Sequence, residues 1–283
     1  MYDMNLESEY EYEDRIIAGA YADIKEFPST VYLVVTLIDP TTNNIAQSSC
    51  GGTIISDYWV LTACHCVITS DMVFKEAQLR AGSASKDLGG EVRMAYTHIM
   101  HERFDPIVAA NDIALLKVSS PFPIDGVEIK IANLATEGQI VPIGTQATIV
   151  GWGKTTMEGE TSPYLQKAQM KVIGCMQESM ICTLANKADV VFGSAGKFCE
   201  NECYKQTTRW AICSWICKMK GDFLNNMPAM ESGYKGDSGG PLFVDDVVVG
   251  VFSAVSMESL PKLPNLFSRV SFFRDWIRSN SGV

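Results

Sequence analysis

The sequence predicts an all-β protein, a sandwich or a barrel, and three observations point there. Short apolar runs are separated at close intervals by Gly, Pro, Asn and Asp. Helical periodicity is confined to the C-terminus and one cysteine-dense stretch. The chain has 283 residues, 47% hydrophobic and 20% charged, enough to bury a core in one large domain or two small ones. The expected strands are Val31–Ile38, Gly52–Ile55, Trp59–Thr62, Ala147–Val150, Lys171–Ile173, Leu242–Val244 and Val247–Ser253, with turns such as Asp39-Pro40, Asp125-Gly126 and Asp245-Asp246 between runs. Alternation of β and α elements, which would mark a parallel sheet, is missing.

Near the end, Phe272, Phe273, Trp276 and Ile277 recur at i, i+1, i+4 and i+5, with Arg274, Asp275 and Arg278 between them. That stripe predicts a helix over about 271–280. Residues about 184–230 are polar, Met-rich and cysteine-dense, and read as an insertion rather than core.

Composition excludes several classes of partner. The net charge is −10 and no Lys/Arg block occurs, which argues against nucleic acid. The longest apolar run, Val31–Ile38, falls far short of the roughly 20 residues that cross a bilayer, so no membrane span is expected. Half of the net charge sits in residues 1–15, where Asp3, Glu7, Glu9, Glu11, Glu13 and Asp14 face only Arg15. Such a segment cannot bury apolar surface and is expected to be a solvated tail. It lacks the apolar stretch of a secretory signal, so any such signal is expected to have been removed from this numbering. Tyr10 and Tyr12 lie in an acidic setting that permits sulfation.

Nine cysteines suggest an oxidising compartment: a protein that is secreted, extracellular or stored in secretory vesicles. Their odd number leaves at least one thiol unpaired. Within the insertion the spacing is Cys199-x3-Cys203-x9-Cys213-x3-Cys217. Two antiparallel helices stapled by Cys199–Cys217 and Cys203–Cys213 fit it, as does a zinc ion on four thiolates. The oxidising setting favours the disulfides. Trp210 and Trp215 would then be contact residues of a lid or exosite, or core of the hairpin itself.

The strongest chemical signal is Gly236-Asp237-Ser238-Gly239-Gly240-Pro241. A serine hydroxyl is a poor nucleophile unless a base takes its proton and donors receive the developing oxyanion. Glycines on either side allow a sharp turn that leaves the N–H groups of Gly236 and Ser238 free to converge on that oxyanion. One of only three histidines lies in Leu61-Thr62-Ala63-Cys64-His65-Cys66, just after a strand, and Asp112 opens the apolar run Ile113–Leu116. His98 and His101, at i, i+3 with no carboxylate pair beside them, do not make a metal site, and the loop near Ser83–Gly90 lacks the paired acids of a calcium site. No metal or cofactor is implied.

The order His65, Asp112, Ser238 with these flanks resembles the chymotrypsin-like serine proteases. So do Arg15-Ile16-Ile17-Ala18-Gly19, Ser49-Cys50-Gly51-Gly52, Gly151-Trp152-Gly153 and the closing Trp276-Ile277. The resemblance covers residues 16–283 apart from the insertion. It implies two six-stranded antiparallel β-barrels, about 16–130 and about 131–270, with the active site between them and residues 1–15 as an acidic activation peptide. It implies that Ser238 attacks a peptide carbonyl, that His65 relays the proton and that Asp112 orients the imidazole, with Ser253 supporting Asp112. Cleavage after Arg15 would free the Ile16 amine to pair with Asp237, making the intact chain a zymogen.

The same resemblance pairs Cys50 with Cys66 and Cys175 with Cys182. It places the primary specificity pocket at Ser232, Val255 and Asn265, which suggests elastase-like cleavage after small or apolar residues. The usual pocket cysteine is replaced by Tyr234 and the usual tryptophan by Ala254, and Glu231 could reach the pocket if its loop shifts. The partners implied are protein or peptide substrates, a trypsin-like protease that activates the chain, and protein inhibitors. A second reading is a homologue that acts mainly as a binding or cascade cofactor protein, with weak or no catalysis. It gains from the altered pocket but predicts an eroded triad, which the sequence does not have. Cys64, beside His65, reads as a small buried hydrophobe rather than a redox thiol.

Overall fold

A computed structural model describes residues 20–153, 161–175, 177–185, 237–255 and 265–283. Its first strand, β1 (Ala20–Tyr21), is followed by β2 (Thr30–Ile38), β3 (Ile45–Ile54), β4 (Trp59–Thr62), β5 (Val73–Ala81), β6 (Glu91–Met100) and β7 (Ala114–Val118). Then come β8 (Asn133–Leu134), β9 (Gln146–Gly151), β10 (Gln166–Ile173), β11 (Met180–Ala185), β12 (Pro241–Val244), β13 (Val247–Val255), β14 (Asn265–Arg269) and helix α1 (Arg274–Ser281).

Strand pairing closes twice. β2 to β7 form a barrel in the order β2-β3-β4-β7-β6-β5, with β5 pairing back onto β2. β9 to β14 close a second six-stranded ring, because β10 pairs with both β11 and β9. All twelve ring strands run antiparallel to their neighbours. Closure leaves no ring strand with an unpaired edge, which suits short strands rich in Val, Ile and Leu. β10 shows the period-2 pattern most plainly: Ala168, Met170 and Val172 are buried, while Gln169 and Lys171 face water.

Large side chains join the two barrels. Tyr32 on β2 meets Trp152, just after β9, with ring centroids 5.5 Å apart, and Phe27 meets Phe243 at 5.2 Å. The fully buried Trp152 also donates its indole N–H to Ala84 O at 2.7 Å. That bond satisfies the one polar atom a buried indole carries. Below it, the loop after β5 folds around Arg80, whose guanidinium donates to the carbonyls of Lys86 and Gly89.

Three expectations need adjusting. The helix begins at Arg274, not near 271, and Phe272 lies outside it, half exposed, while Phe273 and Ile277 are buried. Four apolar residues at i, i+1, i+4 and i+5 make a stripe only if the helix already exists at the first of them. β1 pairs with Gln166 and Lys167 of β10, so the first described residues join the second sheet before the chain enters the first barrel. β11 runs to Ala185, so the insertion begins later than residue 184. Cys199, Cys203, Cys213, Cys217, Trp210 and Trp215 lie outside the described residues, as does the acidic tail with Tyr10 and Tyr12.

Candidate active site

β4 ends at Thr62, and the chain then makes one 3-10 turn, Cys64–Cys66, with His65 at its centre. No side chain caps that turn. It is held instead by a disulfide from Cys66 to Cys50 on β3 and by its own backbone, the His65 N–H donating to Asp112 Oδ1 at 3.0 Å. The ring atom Nδ1 lies 2.6 Å from Asp112 Oδ2. About a third of the His65 side chain is exposed, against 2% of Asp112, so the imidazole has an open edge and the carboxylate has none.

Asp112 stands just ahead of β7, after Asn111, whose φ of 55° lies in the left-handed region that Asn tolerates. Its Oδ2 also accepts from Ser253 Oγ at 2.6 Å. Ser253 sits where the β13–β14 register shifts between Phe252 and Ala254, a bulge of the kind that re-aims a side chain. Burial alone would raise the Asp112 carboxyl, but the His65 charge, with hydrogen bonds from His65 and Ser253, holds it below its usual range. Burial also disfavours the imidazolium, yet the Asp112 carboxylate outweighs that, and the pKa of His65 is raised.

Ser238 is buried in the turn between Asp237 and Gly239. Its carbonyl accepts from Gly51 N at 2.7 Å, and Gly239 N donates to Phe252 O at 2.8 Å. Gly239 has φ +76°, and a side chain there would collide with Thr62 Oγ1 and come within 3.1 Å of Ala63 N. The serine turn therefore packs directly on the backbone that leads into His65. Two adjacent residues of β3 make this junction: Cys50 holds the His65 turn and Gly51 holds Ser238. A Cβ on Gly51 would stand 2.8 Å from Gly240 Cα, a backbone atom that cannot rotate away. Gly51→Ala is expected to destabilise the protein by about 2 kcal/mol in urea unfolding and to slow any reaction at Ser238. Full stability in that variant would show that the two turns are not in contact through β3.

Asp237 turns its side chain away from Ser238, into the second barrel. Gly153 N donates to its Oδ1 at 2.7 Å, and a side chain on Gly151 or Gly153 would occupy the space of the carboxylate. Burial pushes the Asp237 carboxyl up to about 6, the Gly153 bond offsetting only part of the cost. Among the described residues no cation pairs with it.

Other expected site residues fall as follows. Val255 and Asn265 are direct partners across the β13–β14 ladder. Asn265 is also opposite Thr183 of β11, and its Nδ2 reaches Met170 Sδ at 3.6 Å. Cys175 and Cys182 are disulfide-bonded. Cys64 is buried and free, its thiol donating to Ile113 O at 3.0 Å. Burial and the nearby Asp112 push that thiol up to about 12, which makes a reactive thiolate unfavourable. His98 packs on Phe74, and His101 packs against Phe273 and Trp276. No group of side chains suited to a metal ion occurs among the described residues. Gly236, Ser232, Tyr234, Glu231, Arg15 and Ile16 lie outside them.

Gly51, Thr62 and Ser268 were missed as site residues from the sequence. Thr62 bonds Gly51 O at 2.9 Å, and Ser268 Oγ donates to Asp112 O at 2.7 Å.

Comparison with known proteins agrees with this geometry. The trypsin family model matches residues 16–220 and 224–277. Trypsin zeta of Drosophila erecta is 30% identical over 267 residues, covering 94% of this chain and 85% of that protein. The trypsin of Phaedon cochleariae is 29% identical over 268 residues, covering 95% and 89%. Among solved structures, a scabies mite inactivated protease paralogue, S-D1, superposes with a TM-score of 0.66 at 22% identity, covering 94% of this chain and 98% of that one. That likeness bears on the fold alone. With two closed barrels, an Asp–His pair beside a buried serine turn and a family match over most of its length, the chain belongs to the trypsin family.

Proposed function

We propose that the chain is a secreted serine endopeptidase zymogen, activated by cleavage after Arg15. In this reading Ser238 Oγ attacks a peptide carbonyl while His65 takes its proton. The tetrahedral oxyanion is received by the N–H groups of Gly236 and Ser238. As the C–N bond breaks, the His65 imidazolium returns the proton to the leaving amine. Water, deprotonated by the same imidazole, then hydrolyses the acyl-enzyme and restores Ser238. Asp112 keeps the Nδ1 proton in place, leaving the other ring nitrogen free to act as base. The observation that carries the reading is the 2.6 Å contact between His65 and the buried Asp112, on a turn against which the Ser238 turn is packed.

Activation is supported by Asp237. A buried carboxyl raised to about 6 by desolvation would be stabilised as its charged form by an ammonium partner, and the freed Ile16 amine would supply one. Val255 and Asn265, which the family resemblance places at the pocket walls and which pair across the ladder, support cleavage after small or apolar side chains. The contact of Asn265 Nδ2 with Met170 Sδ at 3.6 Å would restrict that side chain. Such an enzyme would not cut after Arg15 itself, so a trypsin-like protease is its activator.

The test is to cleave the full chain after Arg15, treat it with a fluorophosphonate and map the adduct, then profile cleavage with a peptide library. Expected are a single adduct on Ser238 and products ending in small or apolar residues. No adduct would put the chain with catalytically silent homologues acting by binding. Cleavage after Lys or Arg would overturn the pocket assignment alone.

A further inference from the structure

Asp112 belongs to the first barrel, yet the second barrel grips it at two points. Ser253 on β13 donates to its carboxylate, and Ser268 on β14 donates to its main-chain carbonyl at 2.7 Å, with 1% of Ser268 exposed. The strand register sets the face of Ser268, and the bulge at Ser253 aims the second serine at the same residue. Val251 pairs with Ser268 and Phe252 with Phe267, the two phenylalanine rings meeting at 5.2 Å. Side chains alternate along a strand, so Val251 and Ser268 share the face opposite the phenylalanines. Ser253 follows Val251 by two residues and reaches the same aspartate.

The first barrel holds the next carbonyl along. Ile113 O accepts from His101 N at 3.1 Å and from the Cys64 thiol at 3.0 Å. Successive carbonyls at residues 112 and 113 are thus fixed by donors from opposite barrels. Between them they set the backbone from which the carboxylate reaches His65.

We propose that Ser268 is a positioning residue for this site: its hydroxyl fixes the Asp112 main chain across the barrel interface and so keeps the carboxylate aligned with the imidazole. The proposal rests on the triad reading above. A side chain that only filled space between the barrels would need no donor aimed at a carbonyl. This carbonyl belongs to the residue whose carboxylate must hold its distance from His65 within a few tenths of an ångström.

The experiment uses the full chain cleaved after Arg15, as wild type, Ser268→Ala and Ser268→Thr. Fluorophosphonate titration counts competent sites, so that misfolded molecules do not enter the rate. Per titrated site, Ser268→Ala is expected to lower kcat roughly tenfold with KM within about twofold, because a slightly misplaced acid weakens the transition state and not substrate binding. The acid limb of its kcat/KM profile is expected to move down by about half a pH unit, since the imidazolium loses part of the carboxylate that raises its pKa. Ser268→Thr, which keeps the hydroxyl, is expected to restore both. Wild-type kcat per site with an unmoved limb in Ser268→Ala would overturn the proposal, as would equal defects in the Ala and Thr variants. A cleaved wild-type chain that takes no label would overturn instead the triad reading beneath it.

Discussion

Asp112→Asn in the cleaved protein is expected to lower kcat about 10,000-fold, the loss known for this change in Ser-His-Asp triads. The carboxylate accepts three hydrogen bonds, from His65 Nδ1–H, the His65 backbone and Ser253 Oγ. A carboxamide has one acceptor oxygen and presents a nitrogen that only donates. With that nitrogen against Nδ1, the imidazole proton moves to the ring nitrogen that should take the proton of Ser238, and the base is lost. Geometry can stay intact while chemistry fails, so steady-state kinetics should be read beside thermal unfolding. A variant with more than about 1% of the wild-type kcat would remove Asp112 from the mechanism.

Cleavage after Arg15 should produce the second large effect. Labelling of Ser238 by a fluorophosphonate is expected to accelerate at least 100-fold on cleavage, and Asp237→Asn in the cleaved chain should return it to the slow rate. A broken buried ion pair costs about 3–5 kcal/mol, enough for that change in the population of the competent turn. In the proposed reading, the partner of Asp237 would set where the N–H groups of the adjoining oxyanion site point. Equal labelling of intact and cleaved chains would end the zymogen reading.

The same carboxyl predicts a pH signature for the uncleaved chain. Its pKa is raised to about 6 by burial, from an ordinary value near 4, so the folded state holds this proton more tightly than the unfolded state. Its contribution to stability is complete below about pH 4 and is lost as pH rises through about 6, an effect on the order of 3 kcal/mol. Tm of the uncleaved chain should therefore fall across that window relative to Asp237→Asn, which carries no proton to lose. His65, also raised, loses its contribution as pH rises through its own higher pKa. Asp112, held low, loses its contribution only in acid, so the difference between wild type and Asp237→Asn isolates Asp237.

Much of the fold was legible because buried strands leave short apolar runs bounded by turn residues. β2 was readable from Val31–Ile38 alone, and its observed limits, Thr30–Ile38, differ by one residue. Where an element left no such run, reading was poorer. The two-residue strand β1 has no pattern to offer, and its place on β10 follows from pairing with Gln166 and Lys167. Phe272 was assigned to the helical stripe because spacing cannot reveal that the first helical residue is Arg274. His65, Asp112 and Ser238 were proposed from flanking residues that form turns and strands. Gly51 and Ser268 were not, since their roles exist only through neighbours distant in sequence.

By itself the sequence determined which chemistry is available: a serine between glycines, a histidine closing one strand and an aspartate opening another. It also determined the short apolar runs, bounded by turn residues, that become the strands. The tertiary structure alone decided that Cys50 and Gly51 tie two remote turns together, that two serines of one barrel hold the aspartate of the other, and that Asp237 is buried. Hydrogen bonds and desolvation act over a few ångströms of space whatever the distance along the chain. A carboxyl raised to about 6 and an imidazole held at 2.6 Å are therefore properties of the closed barrels and of no segment read alone.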